Sequence, residues 1–181
     1  MPKLFAFLRG MNLGGHRVTN TELSAIFKAV GVTGVETFIA SGNLIFDAPK
    51  KDAATLQKRL EARLEKDLGY AVPTFLRTEA ELVAMAGQLP FKPARHKTAR
   101  TFNVGMLDGP MSPAAIKELA SHNSAESDFT VIGREVYWLC QVGQSESAFF
   151  KVPFDRRFKV SSTWRNINTL NRLIAKYELG E

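Results

Sequence analysis

The sequence predicts an α+β fold built from two ferredoxin-like repeats of the βαββαβ type, the second of them incomplete, joined by a helix and a basic linker. The first observation is the order of strand-like and helix-like patterns in the first half, which is β-α-β-β-α-β. The second is that a strand, a helix and a hairpin follow again after a basic, proline-containing segment. The two repeats show no obvious sequence identity to each other, so the inference depends on element order.

The first repeat opens with a strand and a well-capped helix. Residues 3–9 are predicted to form a strand, and residues 4–8 are apolar at both alternating sets of positions, which is typical of a strand covered on both faces or central in its sheet. Thr19 and Glu22 have the spacing of a capping box, which predicts a helix that starts near Asn20 and stops at Gly31. The remaining predicted elements are strand 35–40, a tight turn at 41–43, strand 44–47, a leucine-rich helix from 52 and strand 73–77.

The second half repeats part of this order. It contains a predicted helix at 78–87, a basic segment at 90–100, strand 100–107, helix 112–121, a hairpin of strands 128–132 and 135–142, and a long closing helix. Ser162 or Thr163 is predicted to cap the closing helix. The predicted parts are the first repeat with its following helix (1–88), the connection (89–99) and the second repeat (100–181), and together they can also form one compact domain.

The composition favours an anionic partner and a cytoplasmic protein. The net charge is +6 and the sequence pI is about 9.6. Residues 92–100 carry four Lys or Arg and no acid, and residues 151–176 carry seven against Asp155 alone. These stretches are either solvated faces or parts of an anion site. No apolar run has the length of a signal peptide or a membrane span, so no membrane partner is expected, and Cys140 is predicted to be a buried structural thiol.

The stretch from Arg9 to Arg17 is a glycine-rich basic loop between the first strand and the first helix. In a split βαβ unit the first and third strands are antiparallel neighbours, so the end of one lies beside the start of the other. The loop is therefore expected at the same sheet edge as the turn at 41–43. Because arginine side chains and free backbone N–H groups bind anionic oxygens, this edge is predicted to bind a phosphate or a carboxylate. The alternative is that the glycines only let the chain turn.

Two nucleotide-binding motifs are excluded for this loop. Gly10 and Gly15 have the spacing of the glycines in a phosphate-binding loop, but His16 replaces the required lysine and Arg17 the required serine or threonine. The glycines also do not fit the G-x-G-x-x-G pattern of dinucleotide-binding proteins. The loop is therefore interpreted as an anion site that uses neither mechanism.

The start of the closing helix is a second candidate anion site. A helix N-terminus has unpaired N–H donors and a partial positive charge. Arg165 and Asn166, in the expected first turn, would add side-chain donors at the same point. An ordinary solvated helix start has nearly the same sequence pattern, so both interpretations are kept.

Three motifs stand out in the chain: Arg9-Gly-Met-Asn-Leu-Gly-Gly15, Phe38-Ile-Ala-Ser-Gly-Asn-Leu44 followed by Phe46, and Thr163-x-Arg-Asn-x-Asn-Thr169. In this order and at these separations they resemble the bacterial family catalogued as domain of unknown function 1697. The resemblance covers essentially the whole chain. It implies a fold of paired ferredoxin-like repeats, an activity that is not established, and one site formed by the three motifs. The chain departs from the family pattern at Ile167, where tryptophan is common.

Three functions follow as hypotheses. The first is binding of an anionic small molecule, with nucleic acid as a less favoured ligand because no RNA-binding strand motif is present. The second is an enzyme acting on an anionic small molecule, with His16 as acid or base. The third is a structural role, in which the motifs lock the two repeats or a homodimer together. No cofactor and no metal are expected, because no Cys, His, Asp and Glu cluster has ligand spacing. The candidate ligand-binding residues are Arg9, Gly10, Asn12, Gly14, Gly15, Arg17, Ser41, Gly42, Asn43, Thr163, Arg165, Asn166 and Thr169.

Overall fold

The part of the chain that the structure describes contains eight strands, four in each of two antiparallel sheets. The computed structural model describes residues 1–11, 17–39, 42–49 and 53–180, and the statements below refer to those ranges. The chain forms two units, one of Met1–Val83 with the last residues from Tyr177, and one of Ala84–Lys176. The protein is therefore of the α+β class, with one four-stranded sheet in each unit.

The first unit follows the predicted element order β-α-β-β-α-β. The sheet has the strand order β2-β3-β1-β4, and all of its pairs are antiparallel. The first strand is therefore central, which explains why Leu4 to Leu8 are each no more than 2% exposed. The elements are β1 (Lys3–Leu8), α1 (Asn20–Ala29), β2 (Thr33–Thr37), β3 (Asn43–Asp47), α2 (Ala53–Leu68) and β4 (Thr74–Thr78), followed by α3 (Glu79–Ala86).

Both α1 and α2 cover the same face of the first sheet. α1 begins at the predicted capping box, in which the Glu22 N–H donates to Thr19 Oγ1 over 3.1 Å and the Thr19 N–H donates to Glu22 Oε2 over 2.7 Å. The hydrogen bonds from Thr19 stabilise the carboxylate and so lower the pKa of Glu22. The buried stripes of the two helices pack with Leu4, Ala6 and Leu8 of β1 in one apolar core.

The second unit has the same sheet order with different helices. Its strand order is β6-β7-β5-β8, so β5 is central as β1 is in the first sheet. Cys140, at the end of β7, is buried as predicted. The elements are α4 (Pro93–Thr98), β5 (Thr101–Leu107), α5 (Pro113–Ala120), β6 (Ser127–Ile132), β7 (Glu135–Cys140), two short 3-10 helices (Gln144–Glu146 and Ala148–Lys151), α6 (Phe154–Phe158), β8 (Ser162–Asn166) and α7 (Ile167–Lys176).

The second unit contains a fourth strand that the sequence analysis did not predict. Ser162–Asn166 is the edge strand β8, which pairs antiparallel with β5 and completes a four-stranded sheet. The predicted helix cap at Ser162 or Thr163 is therefore wrong, and α7 begins only after this strand. The Ser162 hydroxyl donates instead to Asp155 Oδ1 over 2.5 Å, and Trp164 is of an aromatic type that favours strands.

Two further segments differ from the predicted elements. β2 ends before the predicted range 35–40 is complete, because Ile39 has a left-handed φ of 55° that an extended strand does not contain. The basic segment 90–100 includes the short helix α4, whose Arg95 Nε donates to Asp128 Oδ2 over 2.8 Å. This ion pair ties the basic segment to β6.

A glycine in β5 makes room for a tryptophan in β8. Gly105 is the register partner of Trp164. A Cβ atom at position 105 would lie 2.7 Å from the Trp164 ring, closer than real Cβ contacts allow. The indole packs edge-on against Trp138 and Phe154, at centroid distances of 6.1 and 5.1 Å. The absent side chain at position 105 therefore lets the edge strand contribute to the aromatic core.

We predict that Gly105→Ala lowers the free energy of unfolding by about 1–3 kcal/mol, because the added methyl group displaces the Trp164 ring. Gly109→Ala is the matched control, since a Cβ there meets no atom within 4 Å. Urea denaturation of both variants measures the difference. Equal losses in the two variants would contradict the steric role of Gly105.

Candidate functional site

The first candidate site lies where β1 ends and β3 begins. Phe7 pairs with Asn43 in the antiparallel ladder, and the Leu8 N–H donates to the Gly42 carbonyl oxygen over 2.8 Å. The expectation that the end of the first strand lies beside the start of the third is thus confirmed. The name first-sheet end is used below for the residues that meet here: Arg9, Gly10, Met11, Gly42 and Asn43.

Hydrogen bonds fix the backbone where β1 leaves the sheet. The Arg9 N–H donates to the Pro73 carbonyl oxygen over 3.0 Å, in the chain just before β4. Gly10 follows with a φ of +72°, which glycine adopts without strain and which ends the extended path of β1. The Arg9 side chain is exposed, whereas Met11 is buried. The exposed arginine therefore extends from a backbone that is held in place.

Gly42 is required at this end for two separate reasons. Its φ of +87° lies in the left-handed region, where a side chain causes strain. A Cβ atom at this position would also lie 2.8 Å from Leu8 Cβ and 3.0 Å from Met11 Cγ. The segment before β3 therefore packs tightly against the segment after β1.

Asn43 uses its side-chain amide to close the connection between β2 and β3. The residue is 4% exposed, and its Nδ2 donates to the Phe38 carbonyl oxygen over 3.1 Å. The Phe38 N–H donates in turn to the Asn43 carbonyl oxygen over 2.9 Å. At least one of the amide hydrogens predicted for ligand binding is therefore used to hold the turn.

A polar hollow lies beside α1. It has a volume of about 400 Å³ and its hydroxyl, amide and ammonium groups suit a polar or anionic ligand. The hollow is lined by Asn20, Thr21, Ser24, Ala25, Lys28 and Thr37.

Arg17, just before α1, is exposed and makes no hydrogen bond or ion pair with the described part of the chain.

The candidate residues of the first loop and of the turn before β3 divide into three groups. Those at the first-sheet end are brought together by the pairing of β1 with β3. Arg17 is described just before α1, and no contact places it at the first-sheet end. The others lie outside the described ranges, and their assignment as site residues stays a prediction: Asn12, Gly14, Gly15, His16 and Ser41.

The third motif lies in the second unit, on β8 and the first turn of α7. Arg165 Nη1 donates to Thr163 Oγ1 and to the Trp164 carbonyl oxygen, each over 2.9 Å. Burial lowers the pKa of Arg165 to about 10, so the guanidinium is still charged at neutral pH. Asn166 Oδ1 accepts from the Asn168 N–H over 2.9 Å, as a helix cap does. These bonds connect the motif to its own strand and helix.

The strand assignment changes the chemistry expected of this motif. Arg165 and Asn166 lie on β8 and not in a first helical turn, so the prediction that both add donors to a helix N-terminus is wrong. Thr169 does lie in the first turn of α7. However, the Asn166 side chain already accepts from one of the N–H groups at that terminus.

Asn103, a buried amide on the central strand β5, is not among the residues predicted from the sequence. The residue is 3% exposed, and its Nδ2 has no hydrogen-bond partner within the described part of the chain. Its register partner on β8 is Asn166. In the sequence, Asn103 is a polar residue inside the largely apolar run 102–107, and this position could have identified it. Leaving a buried amide unpaired lowers the stability of the fold by about 1–3 kcal/mol, so such a residue calls for a functional explanation.

Two kinds of feature are absent from the ranges that the structure describes. No three His, Cys, Asp or Glu side chains in them form a group that could hold a metal ion. Among the helices of those same ranges, none combines the length and apolar character needed to cross a membrane.

We predict that Gly42→Ala destabilises the protein more than Gly69→Ala does. The two glycines share a positive φ, at +87° and +82°, so both variants incur a backbone strain of about 1–2 kcal/mol. Only the alanine at position 42 also collides with Leu8 and Met11, which adds about 1–3 kcal/mol. Urea denaturation measures both losses, and equal values would show that the two segments are not tightly packed.

Comparison with known proteins identifies the family of the chain. The family model described as "Protein of unknown function (DUF1697)" matches residues 1–137. No curated protein matches the sequence. The solved structure of conserved bacterial protein SP0830 from Streptococcus pneumoniae is similar, with a TM-score of 0.75 and 21% identity over 95% of this chain and 96% of that chain. This similarity shows a common fold, and the family match spans well over half of the sequence. The chain therefore belongs to the DUF1697 family, as the resemblance predicted, and the third motif lies beyond the matched residues.

Proposed function

We propose that the protein binds an anionic small molecule, preferably one that bears a phosphate, at the first-sheet end. The observation that carries this proposal is the hydrogen bond from the Leu8 N–H to the Gly42 carbonyl oxygen, 2.8 Å long. It joins a segment that contains an arginine and a glycine to a second glycine-containing segment. Guanidinium and backbone N–H groups that converge in this way complement anionic oxygens.

Arg9 and Arg17 supply the charge in this proposal. Both side chains are exposed, and each can form two parallel bonds to a phosphate or a carboxylate. Gly10 and Gly42 let the backbone N–H groups of their segments approach the ligand, with Asn12, Gly14, Gly15 and Ser41 as further donors. The backbone at Leu8 and Arg9 is held by hydrogen bonds to Gly42 and Pro73, so this part of the site needs little ordering when the ligand binds.

A structural role is the second candidate, and the hydrogen bonds of the third motif favour it. Thr163 and Arg165 bond to each other, and Asn166 caps α7. In this version the third motif stabilises the second unit and does not need to touch the ligand. A broader version of this hypothesis is that polar contacts of the motifs hold the two repeats, or the two copies of a homodimer, together.

Two other versions of the proposal differ in chemistry. In the first, the protein is an enzyme on the anionic small molecule and His16 acts as acid or base. In the second, the ligand is nucleic acid, and its affinity falls with added salt by a log–log slope near the number of phosphates neutralised.

We also propose that each unit is a ferredoxin-like repeat and that the protein is bacterial and cytoplasmic. The sheet orders β2-β3-β1-β4 and β6-β7-β5-β8 support the repeats, because the first strand of each unit is central between the third and the fourth. The bacterial source of the similar solved structure supports a bacterial origin.

A thermal-shift screen tests the anion-binding proposal. The probes are inorganic pyrophosphate, nucleotides, sugar phosphates, carboxylates and short oligonucleotides. A ligand at about 100 times its Kd stabilises the protein by about 2.7 kcal/mol, which raises Tm by roughly 5–10 °C. We predict that Arg9→Gln or Arg17→Gln weakens binding of the best probe roughly 10- to 100-fold, the effect of a lost charge-assisted hydrogen bond.

Lys58→Gln is the matched control for charge, because Lys58 is exposed on α2 and away from the first-sheet end in sequence. The proposal fails if no probe raises Tm, or if the control weakens binding as much as the arginine variants. His16→Ala separates the enzyme version from simple binding, since it should abolish turnover and leave the affinity unchanged.

If the third motif has a structural role, substitutions in it should change the stability of the protein and not its affinity for the ligand. We predict that Asn166→Ala lowers the free energy of unfolding by about 1 kcal/mol through loss of the helix cap. The affinity for the best probe should stay the same. Asn168→Ala, in the exposed first turn of α7, is the control and should change neither quantity by a comparable amount. A loss of affinity in Asn166→Ala would instead assign this residue to the ligand site.

A further inference from the structure

A basic pocket lies wholly within the second unit. Its volume is about 440 Å³, inside the range of roughly 300–1,000 Å³ that is typical of small-molecule sites. All of its charged lining residues are basic, and they come from the stretch 151–176 whose charge bias is visible in the sequence. The lining residues are His122, Lys151, Val152, Pro153, Arg156 and Arg157.

Most of the positive charge in this pocket is uncompensated. Arg157 Nε donates to Glu118 Oε1 over 2.5 Å, so this cation is paired. Lys151 and Arg156 are exposed and make no hydrogen bond or ion pair with the described part of the chain. Asp155, the one acid in the basic stretch, accepts hydrogen bonds from the N–H and hydroxyl of Ser162.

Buried aromatic side chains hold the pocket in shape. Phe149, Phe154 and Phe158 flank the basic residues in sequence and are each at most 8% exposed. The rings of Phe154 and Phe158 lie 4.8 Å apart, and those of Phe149 and Phe158 lie 6.4 Å apart. The Arg157 N–H also donates to the Pro153 carbonyl oxygen over 2.9 Å. The cations therefore extend from short segments that are fixed on both sides, which reduces the ordering needed on binding.

The remaining lining groups suit a ligand that is not purely ionic. The ring of His122 packs edge-on against Phe149 and Phe158, at centroid distances of 5.2 and 6.2 Å. Its side chain makes no hydrogen bond with the described residues, so a ring nitrogen is available to a ligand. Val152 and Pro153 add apolar surface beside the cations.

We infer that this pocket binds a small phosphomonoester, with the dianionic phosphate on Lys151 and Arg156 and a compact, partly apolar body against His122, Val152 and Pro153. A phosphate group offers three strong acceptor oxygens, and lysine and arginine are its usual partners. Two unpaired cations that line one pocket match one doubly charged group better than an extended polyanion, which requires charges along a surface. This site is additional to the first-sheet end and does not depend on the function proposed there.

Isothermal titration calorimetry with phenyl phosphate tests the inference. The second pKa of a phosphate monoester is about 6, so the probe is mainly a dianion at a pH of about 7.5. The full chain carries Arg9→Gln and Arg17→Gln, so that any heat does not come from the first-sheet end. In this background we expect saturable binding at a single site, and weaker binding of phenyl sulfate, a monoanion of similar shape.

Variants of the pocket then locate the binding. Lys151→Gln with Arg156→Gln should lower the affinity for phenyl phosphate at least about tenfold, a change of about 1.4 kcal/mol. Lys97→Gln with Lys117→Gln removes the same charge from exposed positions in α4 and α5 and should change the affinity less than about twofold. Arg156→Lys, which keeps the charge, should retain most of the affinity. Circular dichroism melting curves confirm that each variant is folded.

Three results would overturn the inference. One is the absence of saturable heat with phenyl phosphate at millimolar concentrations. Another is an equal loss of affinity in the pocket pair and in the control pair, which would indicate a general effect of net charge. The last is binding of a short oligonucleotide in the same background without any binding of phenyl phosphate.

Discussion

The antiparallel pairing of β1 with β3 determines where the candidate site can form. Five register pairs run from Lys3 with Asp47 to Phe7 with Asn43. A slip of one residue would replace Leu4 and Ala6 in the apolar core by the larger Phe5 and Phe7, so the fit of these side chains in a closely packed core fixes the register. The same register sets Arg9 beside the turn before β3. The core of the first unit therefore positions the residues to which we assign ligand binding.

The second sheet has the same strand order as the first, but the elements that pack against it are different. β5 is central, and its Gly105 accepts the Trp164 ring from the edge strand β8. In place of a long second helix, two 3-10 helices and the short α6 connect β7 to β8. Phe149, Phe154 and Phe158 of these helices fill the core, and the basic residues between them line a pocket. The two units thus share a topology and carry different candidate sites.

The sequence predicted most of the first unit because its determinants are local. The capping box of Thr19 and Glu22 and the leucine spacing of α2 each lie within one element. β8 was misassigned because Ser and Thr occur both at helix caps and in strands. The contacts that decide between these two structures lie outside the segment itself. Asp155, seven residues earlier, bonds to Ser162, and Gly105, far away in sequence, makes room for Trp164. Topology predicted that Arg9 meets the turn, but the internal bond of the Asn43 amide has no sequence signal.

An NMR titration of isotope-labelled protein with inorganic pyrophosphate addresses the first-sheet end most directly. We expect saturable shifts of the backbone amides of Arg9, Gly10, Met11 and Gly42, because these groups form the fixed backbone beside the proposed anion. The amides of α2 should shift less. Saturable binding that leaves the first-sheet amides unchanged, or the absence of any saturable change, would contradict the assignment of this end as an anion site.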